Sequence, residues 1–293
     1  MRNEYSRRWK HMIARSASSP LPARVQAYIA AVVRTCAETD NALVSVILFG
    51  SAATGGFSGT VSDVDLILVL QDGASPEDRR RVRDSVTSLE IIHGLRQARN
   101  RPGVLEAFVE RVSAHDHSFF VCTRSDLLSG SIARVMNLNP AQAFFVDRIV
   151  ILGILSSAVT VWGEELLAHI PLLAIRRLDI FKAFFGLSCQ VAASVTLFPL
   201  LPGATRYAMA ALKHSVHSCY FCYRANPAAL EDEIDFFQRR LGPNRALEKL
   251  LTLRHTYTPS FAFVARCMPA LMQLHLRTAL DNRFPRKSPE TNP

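Results

Sequence analysis

In the first half of this chain, short continuous apolar runs alternate with stretches of helical spacing; in the second half only the helical spacing persists. Val25, Tyr28, Ile29, Val32 and Val33 recur at three- and four-residue intervals, which predicts a helix from Pro22 to about Ala37. Residues 44–49 form an apolar run of the kind expected for a strand covered on both faces, and a second run follows Asp65. Val82, Val86 and Leu89 predict a helix from Pro76 to about Leu95, opened by Ser75-Pro76-Glu77-Asp78. Val104, Leu105, Phe108, Val109 and Val112 also have helical spacing. Residues 118–122 read as a third core strand, a helix starts at Ser125-Asp126, and residues 158–162 read as an edge strand. From Pro171 onward the pattern is helical, including 206–223, 228–241 and 260–280, with breaks at 199–203, Asn226-Pro227 and Gly242-Pro243.

This pattern predicts four parts: an N-terminal arm and helix (1–40), a mixed α/β domain (41–165), an all-α helical bundle (166–283) and a disordered tail (284–293). At 293 residues with 49% hydrophobic side chains, the chain can bury two cores of ordinary size. It has no internal repeat and no low-complexity tract.

Charge adds a weak preference. The net charge of +9 favours a polyanionic partner such as nucleic acid, or an acidic ligand such as ATP, but the basic residues are scattered rather than striped. The densest group, Arg79-Arg80-Arg81-Val82-Arg83, is expected to form the solvated face of its helix. The N-terminus is charged and lacks an apolar segment, so no signal peptide is expected. Six dispersed cysteines then imply reduced thiols in a cytoplasm. Residues 183–205 carry no charge, yet Gln190, Pro199 and Pro202 favour a buried helix over a membrane span, and no membrane partner is expected. His214, His217, Cys219 and Cys222 resemble zinc ligands only in composition. All four lie within 214–222 of one expected helix and cannot surround a single ion, so packing is the better reading.

The chemistry concentrates in residues 43–70. An apolar strand ends at Gly50-Ser51; residues 52–62 follow, rich in Gly, Ser and Thr; then come Asp63-Val64-Asp65 and a second apolar strand. Residues two apart in a strand share a face, so Asp63 and Asp65 project together while Val64 and Leu66 point the other way. Two carboxylates this close repel, and a hard cation resolves the conflict: Mg²⁺ prefers carboxylate oxygens, water and substrate phosphates. Gly50 lets the backbone approach a ligand closely, and Ser51 adds a hydroxyl donor ahead of Ala52-Ala53, which can open a short helix. An aspartate at a strand entry also caps turns, so neither acid is diagnostic alone. The combination is far more specific, and it reads as a phosphate cradle on one strand beside a metal platform on its neighbour.

The segment Gly50-Ser51 … Ser62-Asp63-Val64-Asp65-Leu66 resembles the signature of the polymerase-β-like nucleotidyltransferase superfamily. Residues 158–168, a strand running into Gly163 and a Glu-Leu-rich stretch, resemble the segment after the catalytic domain in the antibiotic (aminoglycoside) nucleotidyltransferase-like group. The resemblance implies an α/β (α+β) catalytic domain over 41–165 with a short mixed sheet, and a helical domain closing over the substrate. It implies ATP or another NTP as substrate and Mg²⁺ in a two-metal site. An acceptor hydroxyl would attack the α-phosphorus and pyrophosphate would leave. By this resemblance Asp63 and Asp65 bind metal, while Gly50 and Ser51 hold the phosphates.

A third carboxylate is implied on the next core strand, but residues 118–122 contain none. Asp116, just before that strand, is the candidate for both catalysis and metal; Glu106 and Glu110 are runners-up if 104–112 is a strand. His115 and His117 flank Asp116 as possible bases. Lys213, in an apolar helix, is the candidate triphosphate contact from the helical domain. The acceptor stays open between a small-molecule hydroxyl, RNA and protein. Glu164-Glu165 and Glu231-Asp232-Glu233 could rim a cleft for a cationic antibiotic. A non-catalytic nucleotide-binding module, or a toxin–antitoxin-type regulatory partner, is the alternative.

Overall fold

The computed structural model describes residues 21–38, 43–53, 64–95, 118–138, 143, 148–171, 175–200, 203–224 and 228–281. The chain divides into two compact units. The first comprises Met1–Arg101, His115–Asn139 and Ser157–Pro171; the second comprises Pro102–Ala114, Pro140–Ser156 and Leu172–Pro293.

The first unit is built on a mixed sheet of four strands, β1 (Leu43–Phe49), β2 (Asp65–Leu70), β3 (Phe119–Thr123) and β4 (Val159–Gly163), in the order β3-β2-β1-β4. β1 runs antiparallel to both neighbours, and β2 runs parallel to β3. Helices α1 (Ala23–Glu38) and α3 (Pro76–Ile92) cover one face; α2 (Gly50–Ala53) is a single turn leaving β1. Period-two alternation decides what meets those helices. Val46 and Leu48 of β1, Leu66 and Leu68 of β2, and Val121 of β3 join Val25, Ile29 and Val32 of α1 and Val82 and Val86 of α3 in one core. Ile47, Ile67 and Val69, on the opposite face, are also fully buried, so the central strands are covered on both sides as their unbroken apolar runs require.

Polar residues fix the ends of these elements. Ser75 caps α3 through a reciprocal capping box with Asp78, and Thr123 does the same for α4 (Arg124–Leu128) with Asp126. The Asp72 carboxylate, after β2, accepts the Ser125 amide at 2.7 Å; that bond is the main reason its pKa is lowered. At the edge strand Gly163 has φ +87°, and a Cβ there would stand 2.9 Å from the Ser45 Cα. Only glycine allows β4 to close on β1 there. Ser45, fully buried in β1, donates to the Glu164 carbonyl at 2.8 Å.

Arg79 departs from the expected solvated face. Its guanidinium reaches Asp126 of α4 at 3.3 Å and is only partly exposed, whereas Arg80 and Arg81 are exposed. The remaining short helix of this unit is α5 (Ile132–Val135).

The second unit is helical: α6 (Arg148–Ser157), α7 (Arg177–Thr196), α8 (Ala204–Arg224), α9 (Leu230–Leu241), α10 (Arg245–His255) and α11 (Phe261–Leu280). Its core is formed by residues such as Val191 of α7, Leu212 and Val216 of α8, Ile234 and Phe237 of α9, Leu250 of α10, and Val264 and Leu271 of α11. Among the described residues α7 alone is long and apolar enough to cross a membrane, with 22% of its apolar window buried. The expected buried helix is therefore buried along one stripe only, through Ile180, Ala183, Val191 and Ser194, while Leu178, Phe181 and Phe185 are exposed.

The helical segment read at 104–112 and the tail from 284 lie outside the described residues.

Candidate active site at one end of the sheet

Strand direction brings the chemistry together. Because β1 opposes β2 and β3, its C-terminal end lies beside their N-terminal ends. Phe49, the last residue of β1, pairs with Asp65, the first of β2. Gly50 follows with φ +70°. A Cβ at Gly50 would stand 3.1 Å from Cγ of Asp65 and closer still to its carboxylate oxygen. The Asp65 carboxylate thus occupies the space that any other residue at position 50 would fill. Val64 and Leu66 are buried in the core beneath α1 and α3, so alternation turns Asp65 to the other face, where it is half-buried. Phe49 and Phe120 stack near that end, with ring centroids 5.8 Å apart.

On its other side, Asp65 neighbours Ser118. Leu66 pairs with Phe119, and the Leu66 amide donates to the Ser118 carbonyl at 3.0 Å. The Ser118 hydroxyl donates to Oε1 of Glu90. Glu90 ends the stripe Val82, Val86, Glu90 on the buried face of α3 and is 2% exposed. Tyr28 of α1 lies in the same region. Its phenol is held well above the ordinary tyrosine range, chiefly by burial and then by the negative charges of Glu90, Cys36 and Asp65.

Of the residues expected from the sequence, the structure brings Gly50, Ser51 and Asp65 to one corner, with Ser51 half-buried in α2. Asp63, Asp116, His115, His117, Glu106 and Glu110 lie outside the described residues. Lys213 lies on α8, in the second unit. Lys182 donates to the Ala143 carbonyl at 3.1 Å.

Three of the acids suggested as a rim have charged or polar partners. Glu164 pairs with Arg124 at 2.5 Å and Glu231 with Arg254 at 3.3 Å. Glu233 is fully buried and pairs with Nδ1 of His217 at 2.5 Å, so it is not a rim residue. Cys219 and Cys222 are buried in α8; no group of three or more metal-ligating side chains stands together among the described residues. All six cysteines are free.

Glu90 is the residue that sequence reading missed. Its signal was present: it follows Val82 and Val86 at four-residue spacing, on the face expected to be apolar. A carboxylate at such a position needs a partner, and the partner is 28 residues away.

Residues 30–98, which hold Gly50, Ser51, Asp63, Asp65 and Glu90, match the family described as the nucleotidyltransferase domain. The fold is similar to that of the spectinomycin adenyltransferase AAD(9) from Enterococcus faecialis, solved with ATP and spectinomycin. The likeness has a TM-score of 0.53 at 8% identity, covering 85% of this chain and 98% of that one. No curated protein matches the sequence. Residues 30–98 thus match a nucleotidyltransferase domain, and the fold, a four-stranded mixed sheet followed by a helical part, is similar to that of the adenyltransferase.

Proposed function

We propose that this chain moves AMP from ATP to a hydroxyl of a small-molecule acceptor and releases pyrophosphate. The observation that carries this reading is the corner where Asp65 fills the space left open by Gly50. In this reading Asp65 holds Mg²⁺ together with Asp63, two residues earlier, and with Asp116 as the third acid. A carboxylate seated where a Cβ at position 50 would intrude suits a hard ion that also binds substrate phosphate. When bound, the ion neutralises phosphate charge and polarises the phosphoryl oxygens.

The chain's own residues bind and orient. Gly50 would admit the phosphates close to the backbone, and Ser51 would donate its hydroxyl to them. The neighbour's ATP and spectinomycin, and its near-complete coverage by this chain, support a nucleotide plus a small hydroxylated acceptor. The six free thiols support action in a reducing cytoplasm.

The test incubates the protein with Mg²⁺, ATP labelled at the α-phosphate, and spectinomycin, other hydroxylated antibiotics, tRNA or protein as acceptor. Label should pass to a small molecule with wild type and not with Asp63→Asn or Asp65→Asn. Transfer to RNA or protein instead would replace the acceptor class, and equal transfer by all three proteins would remove the metal-dependent chemistry.

A further inference from the structure

We propose that the outer face of the α7–α11 helix pair docks on an anionic lipid bilayer, with both helices lying flat in the headgroup region and neither crossing it. This contact belongs to the helical unit and is independent of nucleotidyl transfer.

The two helices lie side by side and antiparallel: the Phe184 ring stands 5.7 Å from that of His275, and the Phe198 ring 5.2 Å from that of Phe261. Gln190 marks the α8 side of α7 by donating to the Tyr207 carbonyl at 3.1 Å, and helical spacing puts Phe181 and Phe185 beyond Phe184 on the opposite side. Cys267, whose thiol meets the Ala208 carbonyl, marks the α8 side of α11, and Met272 and Leu276 lie beyond His275 on the opposite side. The two stripes therefore border one seam and share one face, which Leu178 and Leu280 extend at the same end. All six side chains are exposed, Leu178 and Leu280 by 73% and 72%, so six of the eleven exposed large apolar residues among the described residues gather here. Each helix has 20 residues and is about 30 Å long and 10 Å across, so the shared face approaches about 600 Å², the upper limit for an apolar patch on a monomer.

Charge selects the occupant. α7 and α11 carry Arg177, Lys182, Arg266 and Arg277 against one acid, Asp179, which is engaged in the capping box at Arg176. α8, packed behind the pair, has no acid and adds Arg206, Lys213 and Arg224. A second copy seated on this face would set one cationic surface against another. An anionic bilayer is complementary in both respects: acyl chains take the phenylalanines and leucines, and lipid phosphates meet the arginines, whose long stems reach from the rim to the headgroups. α7 suits lipid in length and composition, with only 22% of its apolar window buried. Its buried stripe through Ile180, Ala183 and Val191, with Val191 joined to the core of α8 and α11, holds it on the surface of the bilayer rather than across it.

The experiment floats the full chain with vesicles of phosphatidylcholine alone and of equal parts phosphatidylcholine and phosphatidylglycerol. It compares wild type, Phe181→Gln/Phe185→Gln, Met272→Gln/Leu276→Gln and Arg177→Gln/Arg266→Gln. Wild type should bind the anionic vesicles at least about tenfold more tightly than the neutral ones, and the preference should shrink as salt is raised. Each apolar pair should cost at least about tenfold in binding, and the arginine pair about tenfold on anionic vesicles only, with thermal melts unchanged because the substituted side chains are exposed. Cys189, exposed on α7 one turn beyond Phe185, reports the footprint in the wild-type protein: its reaction with a polymer-linked maleimide should slow several-fold when anionic vesicles are added. No binding to anionic vesicles, wild-type binding by Phe181→Gln/Phe185→Gln, or an unslowed Cys189 would each overturn the lipid contact. A wild-type dimer in sedimentation equilibrium that Phe181→Gln/Phe185→Gln turns into a monomer would overturn it in favour of a second copy.

Discussion

Among the described residues two glutamates are buried, one in each unit, and the partners they are seen with differ. Glu233 of α9 takes the His217 imidazole of α8 as partner and also accepts the Ala228 amide at 3.2 Å. It ties two helices and the approach to one of them. Glu90 accepts from the Ser118 hydroxyl, beside the strand that carries Asp65. Each carboxylate meets a partner on another element, as burial of such a group requires.

The largest effect expected lies at the corner the two strands build. Gly50→Ala places a methyl where the Asp65 carboxylate sits and forces φ +70° on a residue that resists it. Transfer should fall by about 10³-fold, the scale of losing several kcal/mol of charge stabilisation, as read by labelled-ATP assays. Next comes the contrast between the glutamates. His217→Ala should lower the unfolding free energy by about 2 kcal/mol in denaturant melts, below the usual cost of orphaning a buried charge because the imidazole is partly exposed. Unchanged stability would show that the His217–Glu233 pair does not hold α8 and α9 together.

A pH effect of similar size belongs to the helical unit alone. His275 of α11 packs against Phe184 of α7, and burial lowers its pKa to about 4. The folded form therefore resists a proton that the unfolded chain accepts near pH 6.5. Stability is full above that value and declines as pH falls from about 6.5 to 4, by about 3 kcal/mol in total. His275→Leu should flatten that decline in melts across this range. The smallest effect is at the first turn of α3, where Ser75→Ala removes the capping box and should cost about 1 kcal/mol with no change in pH dependence.

Much of this was legible in the chain itself, because period and turn chemistry are local. The α1 stripe from Val25 to Val33, the strands at 44–49 and 118–122, the Ser75 start of α3 and the edge strand before Gly163 all appear in the structure within a residue or two. The juxtaposition of Gly50 and Asp65 follows from the same pattern, since two apolar strands joined through a loop pair antiparallel and bring those ends together. Partnerships between elements were not legible. Arg79 read as solvated, yet it meets Asp126; Glu233 read as one acid of a possible rim, yet it is buried against His217; Glu90 was not singled out, yet it meets Ser118. In each case the periodicity gives the face, while the partner lies on another element and is set by tertiary packing.

The most direct measurement is a calorimetric titration of ATP with Mg²⁺ into wild type and Asp65→Asn. Wild type should bind in the presence of Mg²⁺ and weakly without it, and Asp65→Asn should lose at least about tenfold in affinity, close to 1.4 kcal/mol. Equal affinity of both proteins for ATP with Mg²⁺ would contradict the account.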